Sequence, residues 1–342
     1  MKRKEVKIGI IGAGKIAERL HLPGYKETKK AKVVAICDIK LNKANRLAKM
    51  FKIPSVYKDY KKMIKEAGID AVSVCTPNYL HASMTIFAAK NKKNVLVEKP
   101  MALSVKEMKA MINACKKNRV KLMVEQTQRF DPAHEVFKKV IESKKLGRII
   151  AVRGKLGHSG PEFWSDDSPW FFERKKSGGG VTMDVGIHIL DLIRHVTGKD
   201  VKAVAATMAN LVKKKIKLED NVEATLKFTD GTIGVFETSW STSPYEVVVQ
   251  VYGEKGKAIV KQDAPRVIYW TVNPKNPYST VKEFRPPVPK KSKNINPCVY
   301  FVNCVIKKKK PFIDGVEGMK SMAVILTAIK SSKTNKFEKI NI

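Results

Sequence analysis

The chain reads as an α/β protein: an N-terminal Rossmann domain with a parallel sheet, then a C-terminal α/β domain with a large, open, mainly antiparallel sheet. Three observations lead there. Residues Lys7 to Asp38 form a βαβ unit around a glycine turn, short apolar runs then alternate with helix patterns as far as Val124, and from Arg148 alternating strands are joined by tight turns. The first two patterns imply a parallel sheet and the third an antiparallel one. With 342 residues the chain is long enough for two cores. The expected division is 1–127 and 128–342, with a C-terminal helix over about 315–332 as a candidate to pack back on the first domain.

Taken in order, Ile8, Ile10 and Ile11 make the first strand and Gly12-Ala13-Gly14-Lys15-Ile16-Ala17 the turn. A helix pattern leads to the second strand, Val33 to Cys37. In a dinucleotide fold Gly12 allows the tight turn, Gly14 lets backbone approach a pyrophosphate, and Ala17 fills the small third position. The helix N-terminus presents free N–H groups to the anion. Asp38 follows about 20 residues after the loop, where a carboxylate accepts from ribose hydroxyls and repels a 2′-phosphate. This favours NAD over NADP. A glycine turn in any α/β protein is the alternative for the loop alone; the strand before, the helix after and the acid at that distance argue for the cofactor.

Leu41 to Phe51 and Asp59 to Glu66 read as helices flanking a short edge strand at Pro54 to Tyr57. Ala71 to Cys75 is a buried strand ending in Thr76-Pro77-Asn78, with His81 near the start of a helix that runs to about Lys90. Carboxyl ends of parallel strands face the ligand crevice, so Thr76, Pro77, Asn78 and His81 are cofactor-contact candidates. A helix-surface histidine is the alternative for His81. Strand Asn94 to Val97 delivers Glu98-Lys99-Pro100 to the same edge before a helix over Ser104 to Lys117. Proline keeps Lys99 extended and so holds its ammonium at the crevice. Lys121 to Val124 is a sixth strand, Gln126 to Pro132 the passage out of the domain, and Asp131-Pro132 can open a helix carrying Val136, Phe137, Val140 and Ile141.

Strands follow at Ile149 to Leu156, Val201 to Met208, Val222 to Phe228, Ile233 to Thr238, Glu246 to Tyr252 and Ala258 to Lys261, with turns such as Thr229-Asp230-Gly231. Pro286 to Pro289 is a proline-rich loop, and Met319, Met322, Ala323, Ile325, Leu326 and Ile329 mark the last helix. Among these strands lies a second chemical stretch, Ser177 to Arg194, which opens on Gly178-Gly179-Gly180. Asp184, His188, Asp191 and His195 fall at helical spacing on one face, with Val185, Ile189, Leu192, Ile193 and Val196 on the other. A solvated ion-pair face is the alternative to a site. A metal is disfavoured, because no H-E-x-x-H or cysteine partner accompanies the histidines.

Composition narrows the classes. No run approaches the roughly 20 apolar residues of a membrane span. The basic start Met1-Lys2-Arg3-Lys4 leads into Glu5 and the nucleotide fold, so no export signal is expected. Five cysteines without C-x-x-C spacing indicate neither a disulfide framework nor zinc, and fit a reducing cytoplasm. The net charge of +35 suggests nucleic acid, but the lysines are dispersed, clustering only at Lys213-Lys214-Lys215 and Lys307 to Lys310. A lysine-rich solvated surface is the better reading, an anionic substrate second and nucleic acid last.

Together, the loop Gly12 to Ala17, Thr76-Pro77-Asn78, Glu98-Lys99-Pro100, Gln128-Arg129-Phe130-Asp131-Pro132, and Gly179-Gly180 followed by Asp184, His188, Asp191 and Arg194 resemble the Gfo/Idh/MocA oxidoreductases, over nearly the whole chain. The resemblance implies hydride transfer between NAD and a secondary hydroxyl or ketone of a sugar, cyclitol or sugar derivative. It also implies a homo-oligomer, dimer or tetramer, built through the C-terminal sheet. It carries Lys99, Asp184 and His188 over as the catalytic set, and Gly12, Gly14, Lys15, Ile16, Asp38, Thr76, Pro77, Asn78, His81, Glu98, Lys99 and Gln128 as cofactor contacts. Arg129, His158 and Trp170 are candidates for the substrate pocket. In this scheme His188 takes the hydroxyl proton, Asp184 orients its imidazole, and Lys99 favours the alkoxide. The three glycines would let their loop close on the nicotinamide. A protein that binds NAD as a sensor is the alternative function, and it would have no use for a proton acceptor.

Overall fold

The computed structural model describes residues 5–162, 169–262, 266–272, 282–292 and 296–342. The basic start at 1–4 lies outside them. Apolar strands β1 (Val6–Ile11), β2 (Ala31–Cys37), β3 (Ser55–Tyr57), β4 (Ala71–Val74), β5 (Asn94–Val97) and β6 (Leu122–Val124) form a six-stranded sheet in the order β3-β2-β1-β4-β5-β6. All its pairings are parallel. Strand order reverses between β1 and β4, so the ends of these two strands open a crevice that helices cannot fill. The local rules that place the helices are visible. Lys52, left-handed at φ 57, stops Leu41–Phe51; Asp59 caps Tyr60–Glu66; Ser104 caps Val105–Lys117 while Glu107 reaches back to Leu103 N–H.

Two helices break the 3.6-residue repeat. A π-helical turn at Ala17–His21 leads into Leu22–Lys26, and a second at Thr182–Gly186 leads into Ile187–Thr197. Each wide turn re-aims the side chains around it relative to a regular α-helix.

The first unit comprises Met1–Gln126 together with Asn294–Met319. The sequence places that later stretch with 128–342, but its helix Pro297–Ile306 buries Cys298, Val299, Phe301 and Val302, with Cys298 against Gly24. Val124 N–H donates to Ile313 O at 3.0 Å, so the returning chain covers the edge at β6.

The second unit, Thr127–Lys293 with Lys320–Ile342, is built on nine strands. These are β7 (Ile149–Gly157), β8 (Val201–Ala209), β9 (Asn221–Phe228), β10 (Ile233–Ser239), β11 (Glu246–Gly253), β12 (Gly256–Lys261), β13 (Arg266–Thr271), β14 (Lys282–Phe284) and β15 (Glu338–Lys339). Their order is β14-β13-β12-β11-β7-β10-β9-β8-β15, antiparallel except where β10 meets β7. In β9 burial alternates strictly, the mark of a sheet with one covered face. Gly154 on β7 leaves the space into which Ile189 and Ile193 of the helix Ile187–Thr197 pack.

Candidate functional site

In the first unit the glycine loop follows β1. Gly12 has φ +100, and a Cβ there would stand 2.4 Å from Cys75 O, so no other residue fits the turn. Nothing lies within 4 Å of the corresponding point at Gly14, where the backbone is open. Lys15 and Ile16, half-buried, begin the helix. Asp38, past the end of β2, accepts from Ala13 N–H and Lys40 N–H, each at 2.8 Å. A carboxylate offers about four acceptor positions, so these two bonds orient it and leave capacity for ribose hydroxyls. The spare acceptor capacity of Asp38 and the open backbone at Gly14 therefore fit a dinucleotide. Arg46, a cation near the ribose position, is forked onto Glu18 with both contacts at 2.7 Å.

At the neighbouring strand ends, Thr76 and Pro77 are half-buried and Asn78 is buried. His81 departs from the expected contact role: it is wholly buried, with Nδ1 2.8 Å from Pro100 O and Nε2 2.8 Å from Thr76 O. Burial pulls the ring toward its neutral form and outweighs the two carbonyls that favour protonation. The imidazole ties two strand-end loops together. Glu98 also departs from expectation. Its carboxylate is buried, Oε1 lying 2.9 Å from His21 Nε2 and Oε2 accepting from Lys99 N–H at 3.1 Å. Burial works to raise the Glu98 pKa, but the bond to His21 prevails and lowers it. Lys99 itself is half-buried, joined to Pro100 by a cis bond.

In the second unit, Asp184 lies in the π turn and accepts from Trp240 Nε1–H at 3.1 Å, with His158 Nε2 at 4.0 Å from the same oxygen. Gly160 N–H donates to His158 Nδ1 at 2.9 Å, so the neutral ring carries its proton on Nε2, toward the carboxylate. Trp170 stacks edge-on against Phe171, whose ring is 5.8 Å from that of Trp240. The structure thus links Asp184 to Trp240, which the sequence did not single out, with His158 beside the carboxylate and Trp170 one ring further out through Phe171. The signal for Trp240 was an aromatic residue just beyond a strand, Ser239-Trp240-Ser241. His188 follows on the helix, half-buried.

Three expectations for this unit are corrected. The polar stripe is not a uniform face: Asp191 is fully buried and holds Arg129 through two bonds of 2.7 Å. Burial would raise the Asp191 pKa, yet the Arg129 guanidinium holds it down. Arg129, a candidate for the substrate pocket, is accordingly committed to the helix and only 4% exposed. Burial, reinforced by Arg129, pushes His195 down to about 3. The glycines of 178–180 serve the protein's own packing. A Cβ at Gly180 would meet Glu219 O at 2.1 Å, and Glu219 Oε1 accepts Gly180 N–H at 2.7 Å. Gln128, buried, accepts from His134 Nδ1 through its backbone carbonyl at 2.9 Å.

Among the described residues no cluster of three or more His, Cys, Asp or Glu could hold a metal ion, and no helix is long and apolar enough to cross a membrane.

Comparison with known proteins follows the same division. Residues 6–126 match the model described as the GFO_IDH_MocA oxidoreductase family with an NAD-binding Rossmann fold, and 134–259 match the GFO/IDH/MocA C-terminal domain. The chain is 28% identical over 258 residues to myo-inositol 2-dehydrogenase of Thermotoga maritima, covering 74% of each. It is 29% identical over 268 residues to the NAD(+)-dependent scyllo-inositol 2-dehydrogenase of Bacillus subtilis, covering 75% of this chain and 74% of that one. A levoglucosan dehydrogenase in complex with NADH and levoglucosan has the same fold, with TM-score 0.86 and 22% identity over 99% of this chain and 100% of that one.

Proposed function

Since this chain belongs to the Gfo/Idh/MocA family of NAD-binding Rossmann oxidoreductases, we propose that it transfers a hydride between NAD and a secondary hydroxyl or ketone of a sugar, cyclitol or sugar derivative. The observation that carries the reading is the open backbone at Gly14 beside an Asp38 carboxylate already oriented by the loop's own Ala13 N–H. The cyclitol and sugar dehydrogenases among its relatives supply the substrate class.

Gly12, Gly14, Lys15, Ile16, Asp38, Thr76, Pro77, Asn78 and Gln128 are the proposed cofactor contacts; His81 and Glu98 support that edge from behind. When bound, NAD accepts the hydride. A secondary alcohol gives up hydride readily only as its hydroxyl proton leaves, which requires a base titrating near neutrality and a cation to favour the alkoxide. His188 is the proposed base, since imidazole is the side-chain type suited to proton transfer near neutral pH. Lys99 is the proposed cation. Asp184 balances the charge His188 acquires, itself steadied by Trp240 and His158. Trp170 and His158 are the proposed pocket wall for the sugar. We assign Met1–Gln126 with Asn294–Met319 to the cofactor, and Thr127–Lys293 with Lys320–Ile342 to substrate and assembly.

The nine-stranded sheet carries Ile233 at 59% and Val235 at 40% exposure on β10, and we propose that a homo-oligomer, dimer or tetramer, forms through that sheet. A cytoplasmic location accords with five cysteines that are all free and buried.

The test is a panel of sugars, cyclitols and nucleotide sugars assayed for NADH formation. Turnover of one of them establishes the reading. NAD binding without turnover across the panel would instead favour a sensor. On an identified substrate, His188→Ala should lower kcat by about 10²- to 10⁴-fold with NAD affinity nearly intact; full activity would end the assignment of the base.

A further inference from the structure

The buried group behind Lys99 has no place in the reaction as written. His21, wholly buried at the end of the π turn, stands with Nε2 2.9 Å from Glu98 Oε1 and Nδ1 3.1 Å from Ser73 Oγ. Ser73 Oγ is 2.6 Å from Tyr25 OH. The other oxygen of Glu98 accepts the Lys99 amide proton at 3.1 Å. A continuous series of polar contacts therefore runs from the first helix through β4 and the end of β5 to the main chain of Lys99. The groups that face His21 are Tyr25 on its own helix, Ser73 on β4 and Cys75 just beyond it, Glu98 beyond β5, Glu125 beyond β6, and Cys298 from the helix Pro297–Ile306.

We propose that His21 is a positioning residue: its buried pair with Glu98 fixes the carboxylate that holds the Lys99 amide, and so fixes the main chain from which the Lys99 ammonium is presented. The inference rests on the reading of Lys99 as the cation of the reaction. Burial opposes charge on both partners; the hydrogen bond with His21 nevertheless lowers the Glu98 pKa, while the His21 pKa is raised chiefly by the adjacent Cys75 and Cys298. A buried charge that loses its partner cannot be rescued by water and must shift, take up a proton or drag its surroundings. Glu98 is one residue from Lys99, so that disturbance falls on the Lys99 backbone.

Amide hydrogen exchange on the NAD-loaded full chain, read over the segment that contains Lys99, tests the positional link without any substrate. In His21→Ala the Lys99 amide should exchange at least about tenfold faster, since a hydrogen bond to a charged group is being loosened. In His21→Gln, which keeps a side-chain donor but not the charge, the acceleration should be smaller. Lys99→Ala and His21→Ala are then compared singly and together on the substrate found in the panel. His21→Ala should depress kcat by about 100-fold, the scale of an ångström-sized misplacement, with little change in the affinity for NADH. In a Lys99→Ala background it should cost almost nothing further. Unchanged Lys99 exchange in both His21 variants overturns the inference, as does an equal loss of kcat with and without Lys99. If Lys99→Ala alone keeps full turnover while exchange responds as expected, the assignment of Lys99 fails and the positional link stands. Should His21→Ala not fold, His21→Gln carries both arms.

Discussion

Single buried residues set most of what this molecule will do when pH or cofactor changes. Burial pushes Glu125 up to about 8 from the ordinary carboxyl value of 4.5. Across that window the folded chain holds a proton that the unfolded chain has released, so the unfolding free energy falls as pH rises. His21, raised above 6.5, acts in the same direction: its contribution is complete below 6.5 and is lost as pH climbs through its folded value. Glu98, held below 4.5, works the other way but only in acid. The melting temperature should therefore fall between about pH 5 and about pH 8, and Glu125→Gln should flatten most of that slope. A slope unchanged in Glu125→Gln would show that the carboxyl is already ionised in the folded state. For cofactor choice, Asp38→Ala should weaken NAD by roughly tenfold, the worth of one charge-assisted bond, and narrow the margin over NADP. Tighter binding of NADP than NAD by the unaltered protein, in the same titration, would sink the role given to Asp38.

Elements made of local pattern were legible, and those made by distant contact were not. Leu41–Phe51 and Asn94–Val97 match the sequence reading end to end, because a helix stripe or a short apolar run between turn signals needs no partner to be seen. The helix Pro297–Ile306 is apolar on almost every side and so shows no period. Strands β13 and β14 flank a stretch of mixed proline and lysine and have no clean alternation. Neither π turn has a sequence signal, and the Asp184–His188–Asp191–His195 stripe was projected through one of them as though it were regular helix. The same limit hid the fate of Arg129. Its sequence position said only that a cation lies near the passage between units, whereas the bidentate pair with Asp191 depends on a residue 62 positions away. Removing one partner of a buried pair costs about 3–5 kcal/mol, and replacing both with apolar residues is far cheaper. Arg129→Ala should thus lower stability by that amount in denaturant titration, and Arg129→Met with Asp191→Leu should recover most of it. If Arg129→Ala instead leaves stability intact and raises KM alone, the arginine belongs to the pocket after all.

At the scale of the whole molecule, a net charge of +35 means strong self-repulsion in the folded state. The melting temperature should rise as salt is added from low ionic strength, and any binding to DNA or RNA should be weak and lost with salt; a tight, sequence-specific complex at physiological salt would reverse the reading of that surface. The return of Asn294–Met319 to the first unit has a consequence for synthesis on the ribosome. When β6 emerges, the chain that will cover it and the helix that will seat Cys298 beside His21 have not been made. They follow roughly 190 residues later, about 10–40 s at 5–20 residues per second. Throughout that interval the nascent nucleotide fold has an open edge and an unfilled site under its first helix, a waiting state in which a chaperone has something to hold.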